Sequence, residues 1–186
     1  LTSRTAVAFV RGIQSEGVIA TPKHFAANFV GDGGRDSNAI HFSERILREV
    51  YFPAFEACFR EAGAMSVMAA YNSINGVPCS ADRWLLTDVL RGEWGFKGFV
   101  VSDYASVVMM HSAHRVASSK AEAARLALEA GLDAELPNTE CFAEIPKLAR
   151  SGRLSVRTLD RAVERVLDAK ERLGLFGNPY VSPERA

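Results

Sequence analysis

The residue in this chain best placed to do chemistry is Asp103, which follows the apolar run Gly98-Phe99-Val100-Val101-Ser102 and precedes Tyr104. A carboxylate at the end of a buried strand is costly to desolvate unless it is hydrogen-bonded or stationed for work. In the working case its ionised form is a nucleophile, and in the structural case it caps the next turn. A cation and an imidazole, Lys23 and His24, follow a second run, Val18-Ile19-Ala20-Thr21-Pro22. Neighbours in an extended segment point to opposite sides, so both line one cavity only if the strand bends or ends, which Pro22 favours. The alternative is a solvated rim lysine beside a core histidine. A third run, Met65-Ser66-Val67-Met68-Ala69-Ala70, leads into Tyr71 and Asn72. Met68 and Tyr71 either offer one opening an apolar wall and a phenol able to donate to a carboxylate, or pack in the core. The fourth run, Leu132-Asp133-Ala134-Glu135-Leu136, stops at Pro137. Its two acids share a face, and structural roles are expected for both.

These runs are the candidate strands of an α/β chain, beginning near Val18, Met65, Gly98 and Leu132. Their spacing leaves room for a crossover helix and two loops each, about 30 residues or more, as parallel βα units require. Between them, Ser43 caps a helix with Ile46, Leu47, Val50, Ala54, Cys58 and Ala62 at helical spacing, kinked at Pro53 and ended by Gly63. Ser119 with Glu122 forms a capping box before Ala123, Leu126, Ala127 and Ala130, with Gly131 as the stop. Ser155 starts a last helix whose stripe is Val156, Leu159, Val163, Val166, Leu167 and Leu173. Asn75-Gly76 signals a turn. Gly31-Asp32-Gly33-Gly34-Arg35-Asp36-Ser37 lacks phosphate-loop or dinucleotide spacing and reads as a mobile loop over the rim.

Composition sets the outer bounds. With 22 Lys+Arg against 22 Asp+Glu and 48% apolar residues, the chain reads as one globular domain without the charge excess of a nucleic-acid or membrane-surface binder. Cys58, Cys79 and Cys141 lack paired metal-site spacing, and as an odd set they read as buried thiols. No acidic or histidine set has recognisable metal spacing, no GxSxG elbow occurs, and no cofactor is called for. Four βα units supply half of a closed (β/α)8 barrel, which needs eight strands in about 250 residues. The expected fold is therefore a partial TIM-type barrel over residues 1–175, with 176–186 as an exit linker toward a following domain. The remaining strands would come from another segment.

Several features then fall in order: Lys23-His24-Phe25, Met68-x-x-Tyr71-Asn72 with Asn75-Gly76, Trp84-Leu85-Leu86 through Arg91-Gly92-Glu93-Trp94-Gly95-Phe96, and Gly98 through Tyr104. With Ala130-Gly131-Leu132-Asp133 and Leu173-Gly174-Leu175-Phe176-Gly177-Asn178-Pro179-Tyr180, this series resembles family 3 of the glycoside hydrolases, home to many β-glucosidases and β-xylosidases. The resemblance implies a retaining glycosidase with Asp103 as nucleophile. It implies that Lys23 and His24 bind hydroxyls of the terminal sugar, that Tyr71 orients Asp103, and that Met68 lines the first subsite. Tyr104 would offer the sugar an aromatic face. It further implies a periplasmic or secreted protein acting on β-linked glycosides. The second carboxyl group is not found here, and one branch's catalytic Asp-Ser-His loop is replaced by Asp36-Ser37-Asn38 with His41 displaced. The expected partners are thus a glycoside, the missing barrel segment and an acid/base domain, and the chain alone should be inactive. Two other readings compete: a Schiff-base lyase using Lys23, and a non-catalytic sugar-binding half-barrel.

Overall fold

The computed structural model describes residues 1–182 of the chain. In chain order its elements are α1 (Thr2–Ser15), α2 (Glu44–Ile46), α3 (Pro53–Arg60), β1 (Ser66–Met68), β2 (Ser73–Ile74), β3 (Val77–Pro78), β4 (Phe99–Tyr104), α4 (Ser106–Ser112), α5 (Lys120–Ala130), β5 (Ala134–Leu136), α6 (Ile145–Arg150) and α7 (Val156–Arg172). Parallel pairing gives the order β1-β4-β5, with Ser66 opposite Phe99 and Val101 opposite Ala134. Gly98 fixes how β4 begins. A Cβ there would lie 2.1 Å from the Met65 carbonyl oxygen, so only glycine permits the approach.

The expected strand at Val18 is not a full strand. Its carbonyl at Pro22 accepts from the Met68 amide at 3.2 Å, and the Phe25 amide donates to Met68 at 2.8 Å. Phe25 then forms a single parallel bridge with Ala69. Pro22 has no N–H to offer a ladder, which accounts for pairing confined to the segment's end. The described residues form an α/β arrangement of helices around a parallel sheet that does not close among them: β5 has no further strand beside it, and the outer side of β1 meets only the short Pro22–Phe25 pairing.

The apolar run of β4 is flanked by helices that supply the core. Phe25 is fully buried against Phe52, Phe55, Phe59 and Trp94, with ring centroids 5.0–6.5 Å apart. Cys58, Cys79 and Cys141 are buried free thiols, as their spacing predicts. Asn75 and Gly76 turn the β2–β3 hairpin, both at positive φ. Ser119 accepts from the Glu122 amide and Gly131 ends α5 at φ +114, while the Glu122 carboxylate reaches back to the Ser118 amide.

Two helices depart from their predicted stripes. The helix after Ser43 is broken into α2, a π-helical turn at Leu47–Tyr51, and α3 beginning at Pro53. The wider π turn rotates the face, so Leu47 and Cys58 are buried while Ile46 and Val50 are exposed. Along α7 the buried seam is Ala162 and Ala169, and Val156, Val163 and Leu167 face outward. Small alanines let this helix approach closely; of the predicted stripe Leu159 packs against the core and Val166 is half-buried, while Val156, Val163 and Leu167 are left exposed. Ser155 stands at its N-cap without a side-chain bond. The Gly31–Ser37 loop carries its own ties: Asn28 donates to the Asp36 carboxylate at 3.1 Å and Asn38 to the Asp32 carbonyl at 2.9 Å. Residues 176–182 form no regular element, and the rest of the expected exit linker, 183–186, lies outside the described residues. Among the described residues no helix is long and apolar enough to cross a membrane.

Candidate active site

Phe25 is buried among the aromatics of α3, Phe52 and Trp94, and its neighbour His24, at a bend in the chain, is left half-buried on the side of β4. The imidazole Nε2 comes to 3.1 Å from Asp103 Oδ2. Asp103 is the next-to-last residue of β4, inside the strand rather than just beyond it, and only 7% exposed. Its Oδ1 accepts the Tyr104 amide at 2.8 Å, so one oxygen does the capping work the sequence allows. Its Oδ2 is buried and has no aligned hydrogen-bond donor, because the His24 approach is close without the geometry of a bond. A buried carboxylate oxygen without a donor is an exception that calls for a reason, and a reacting atom is one.

Tyr71 completes this group from the loop three residues beyond β1. Its carbonyl strand neighbours are fixed, since the Ala69 amide donates to Val101 and the Ala70 amide to Phe25. The phenol is pushed up to about 12, by burial first, then by the negative charge of Asp103 and the hydrogen-bonding pull of the same carboxylate. Asp36 on the rim loop adds a smaller push in the same direction. Tyr71 therefore stays a proton donor throughout the neutral range. Met68 is half-buried beside it on β1, and Tyr104 is exposed at the rim.

Lys23 is exposed and borders an open cleft of about 900 Å3 that His24, Phe9, Phe29 and Val50 also line. It lacks the apolar enclosure that activates a Schiff-base lysine, which weighs against the lyase reading. Asp133 and Glu135 are structural. Arg91 and Arg165 each reach the Asp133 carboxylate at 2.7 Å, and the Val100 amide donates to it at 2.8 Å. Burial pulls Arg91 down to about 10, still high enough to keep it charged at neutral pH. Glu135 accepts the amides of Cys141 and Phe142, capping the turn before α6. His41 pairs with Asp32 at 3.6 Å on the exposed loop, apart from the Asp103 group.

Sequence reasoning missed the supports behind these residues. Asn72 is fully buried and donates to the Ala26 carbonyl at 3.4 Å, and Ser102 Oγ accepts the Leu136 amide at 2.8 Å. His114 places Nε2 2.9 Å from the Tyr71 carbonyl. No spacing rule links residues so far apart in the chain.

The parallel sheet places the Asp103 carboxylate near the C-terminal end of β4, with the His24 imidazole and the Tyr71 phenol supplied by neighbouring loops, an arrangement of the βα class. Residues 1–169 match the glycosyl hydrolase family 3 N terminal domain, and the chain belongs to that family. It is 41% identical over 191 residues to a β-xylosidase of Formosa agariphila, covering 95% of this chain and 26% of that protein. It is 38% identical over 186 residues to a periplasmic β-glucosidase of Salmonella typhimurium, covering 97% and 24%. A solved β-glucosidase of Erythrobacter marinus superposes with a TM-score of 0.93 at 42% identity, over 96% of this chain and 25% of that one. The β-glucosidase of Listeria innocua in complex with glucose does so at 0.88 and 38%, over 94% and 25%. The chain spans about a quarter of the length of these relatives.

Proposed function

We propose that this chain is part of a retaining β-glycosidase acting on terminal β-linked glucosides or xylosides, with Asp103 as nucleophile. The observation that carries the reading is Asp103 Oδ2, a buried carboxylate oxygen with no aligned donor 3.1 Å from His24 Nε2, on a carboxylate whose charge also raises the Tyr71 phenol. In the first step Oδ2 attacks the anomeric carbon and the glycosidic C–O bond breaks. The leaving oxygen takes a proton from a general acid outside this chain. In the second step that group, now a base, takes a proton from water as the water oxygen attacks the same carbon and frees Asp103. The Tyr71 phenol holds the carboxylate in position. Lys23 and His24 bind sugar hydroxyls, Met68 lines the first subsite and Tyr104 offers an aromatic face.

Residues 1–175 act, on this reading, as the last four βα units of a (β/α)8 barrel. The unclosed sheet and the exposed Phe9, Phe29 and Val50 along the Ala20–His24 segment support it, because exposed apolar surface next to an incomplete sheet suits further strands and helices. A periplasmic or secreted location follows the Salmonella typhimurium relative's description. Treating the intact protein with an activated 2-fluoro-β-glucoside and mapping the adduct by mass spectrometry tests the assignment. Label on Asp103, lost in Asp103→Asn, is expected. Label on another residue sinks it, and sugar binding without turnover or label favours a non-catalytic module.

A further inference from the structure

The loop after α4 holds itself together with its backbone. The Ala113 and His114 amides donate to the Met109 carbonyl at 2.9 and 2.8 Å, and the Val116 and Ala117 amides to Met110 at 3.0 and 3.1 Å. Arg115 takes a left-handed φ of 58° between them. His111 Nδ1 lies 3.0 Å from the Ala117 carbonyl, a second lock on the same loop. None of these bonds uses the His114 ring. That ring instead crosses to the preceding βα unit, where Nε2 is 2.9 Å from the Tyr71 carbonyl oxygen. A carbonyl only accepts, so Nε2 carries the proton and the imidazole is the donor.

Tyr71 is thereby pinned from two sides. The Phe25 carbonyl takes the amide just before it, Ala70, at 2.7 Å, and His114 takes its own carbonyl. The first contact ties Tyr71 to the His24 segment, and the second ties it to the unit that carries Asp103. We propose that His114 is a positioning residue for the Asp103 reaction: by donating to the Tyr71 carbonyl it keeps the phenol against the carboxylate. This rests on the glycosidase reading above. The alkaline displacement of the Tyr71 phenol is in keeping with a hydroxyl held close to that charge.

The test uses the intact protein and the rate at which an activated 2-fluoro-β-glucoside labels Asp103, with kcat and KM for an aryl glycoside alongside. His114→Leu is expected to slow labelling and kcat about tenfold, the rate equivalent of one lost hydrogen bond, with KM little changed. His114→Gln, whose amide can replace Nε2–H, should stay near the wild-type rate. In a Tyr71→Phe background the leucine change should cost almost nothing more, because the two residues act in one chain. If His114→Leu does not fold, His114→Asn, polar but too short to reach, takes its place with the same expectation. Wild-type rates in the leucine or asparagine variant overturn the proposal, as do equal losses in the glutamine variant or losses that multiply in the Tyr71→Phe background. Failure of the wild-type protein to take label at Asp103 brings down the glycosidase reading and this proposal together.

Discussion

Asp103 uses its two oxygens differently: Oδ1 takes the Tyr104 amide, and Oδ2 lies 3.1 Å from His24 Nε2 without a hydrogen-bond donor. On the proposed reading, in which the neutral Tyr71 phenol donates to Asp103, Tyr71→Phe should lower kcat in the intact protein by about 10- to 100-fold while Asp103 still takes a fluorosugar label. The same residue has a signature in stability. An ordinary tyrosine titrates near 10 and the folded Tyr71 near 12. Between those values the folded protein keeps a proton that the unfolded chain has released. The stabilisation is complete below pH 10 and is lost as pH rises to about 12. Urea midpoints should therefore fall less steeply across that window in Tyr71→Phe than in the wild type, and identical slopes would contradict the assignment.

At the scale of elements, the buried carboxylate of Asp133 joins the π-helical segment Trp84–Glu93 to α7, through Arg91 and Arg165, at the foot of β5. This is packing glue and not catalysis. Asp133→Ala leaves two guanidiniums without their counter-charge, one of them largely buried, and should destabilise the protein by about 3–5 kcal/mol in thermal unfolding. A loss below about 1 kcal/mol would show that Arg165 finds compensation in solvent. Gly98→Ala tests the β1–β4 approach in the same way. A methyl 2.1 Å from a backbone oxygen requires the strands to part, and we expect at least about 3 kcal/mol or no soluble protein.

For the whole molecule, what matters most is that the sheet does not close among the described residues. Beside the Val18–Lys23 segment lie Phe9, Phe29 and Val50, all exposed, along the 900 Å3 cleft that Lys23 and His24 enter. Residues 1–186 expressed alone should hydrolyse an aryl β-glucoside negligibly, since a general acid contributes about 10²–10⁴-fold. Robust turnover by the purified segment would overturn the idea that further strands and an acid/base group complete the site.

Local chemistry made much of this legible in advance. Capping residues, Asn75-Gly76, the β4 run and the order of Lys23, His24, Tyr71 and Asp103 depend on near neighbours and on motif spacing, which a linear chain displays. The same holds for the thiols and for the structural reading of Asp133 and Glu135. What escaped depends on which surfaces meet. The π turn that exposes Ile46 and Val50, the alanine seam of α7 and the short, end-only pairing of the Val18 segment were decided by packing against distant elements. So were the free Oδ2 of Asp103 and the reach of His114 to Tyr71, because hydrogen-bond partners far apart in the chain become neighbours only when the sheet brings adjacent βα units side by side.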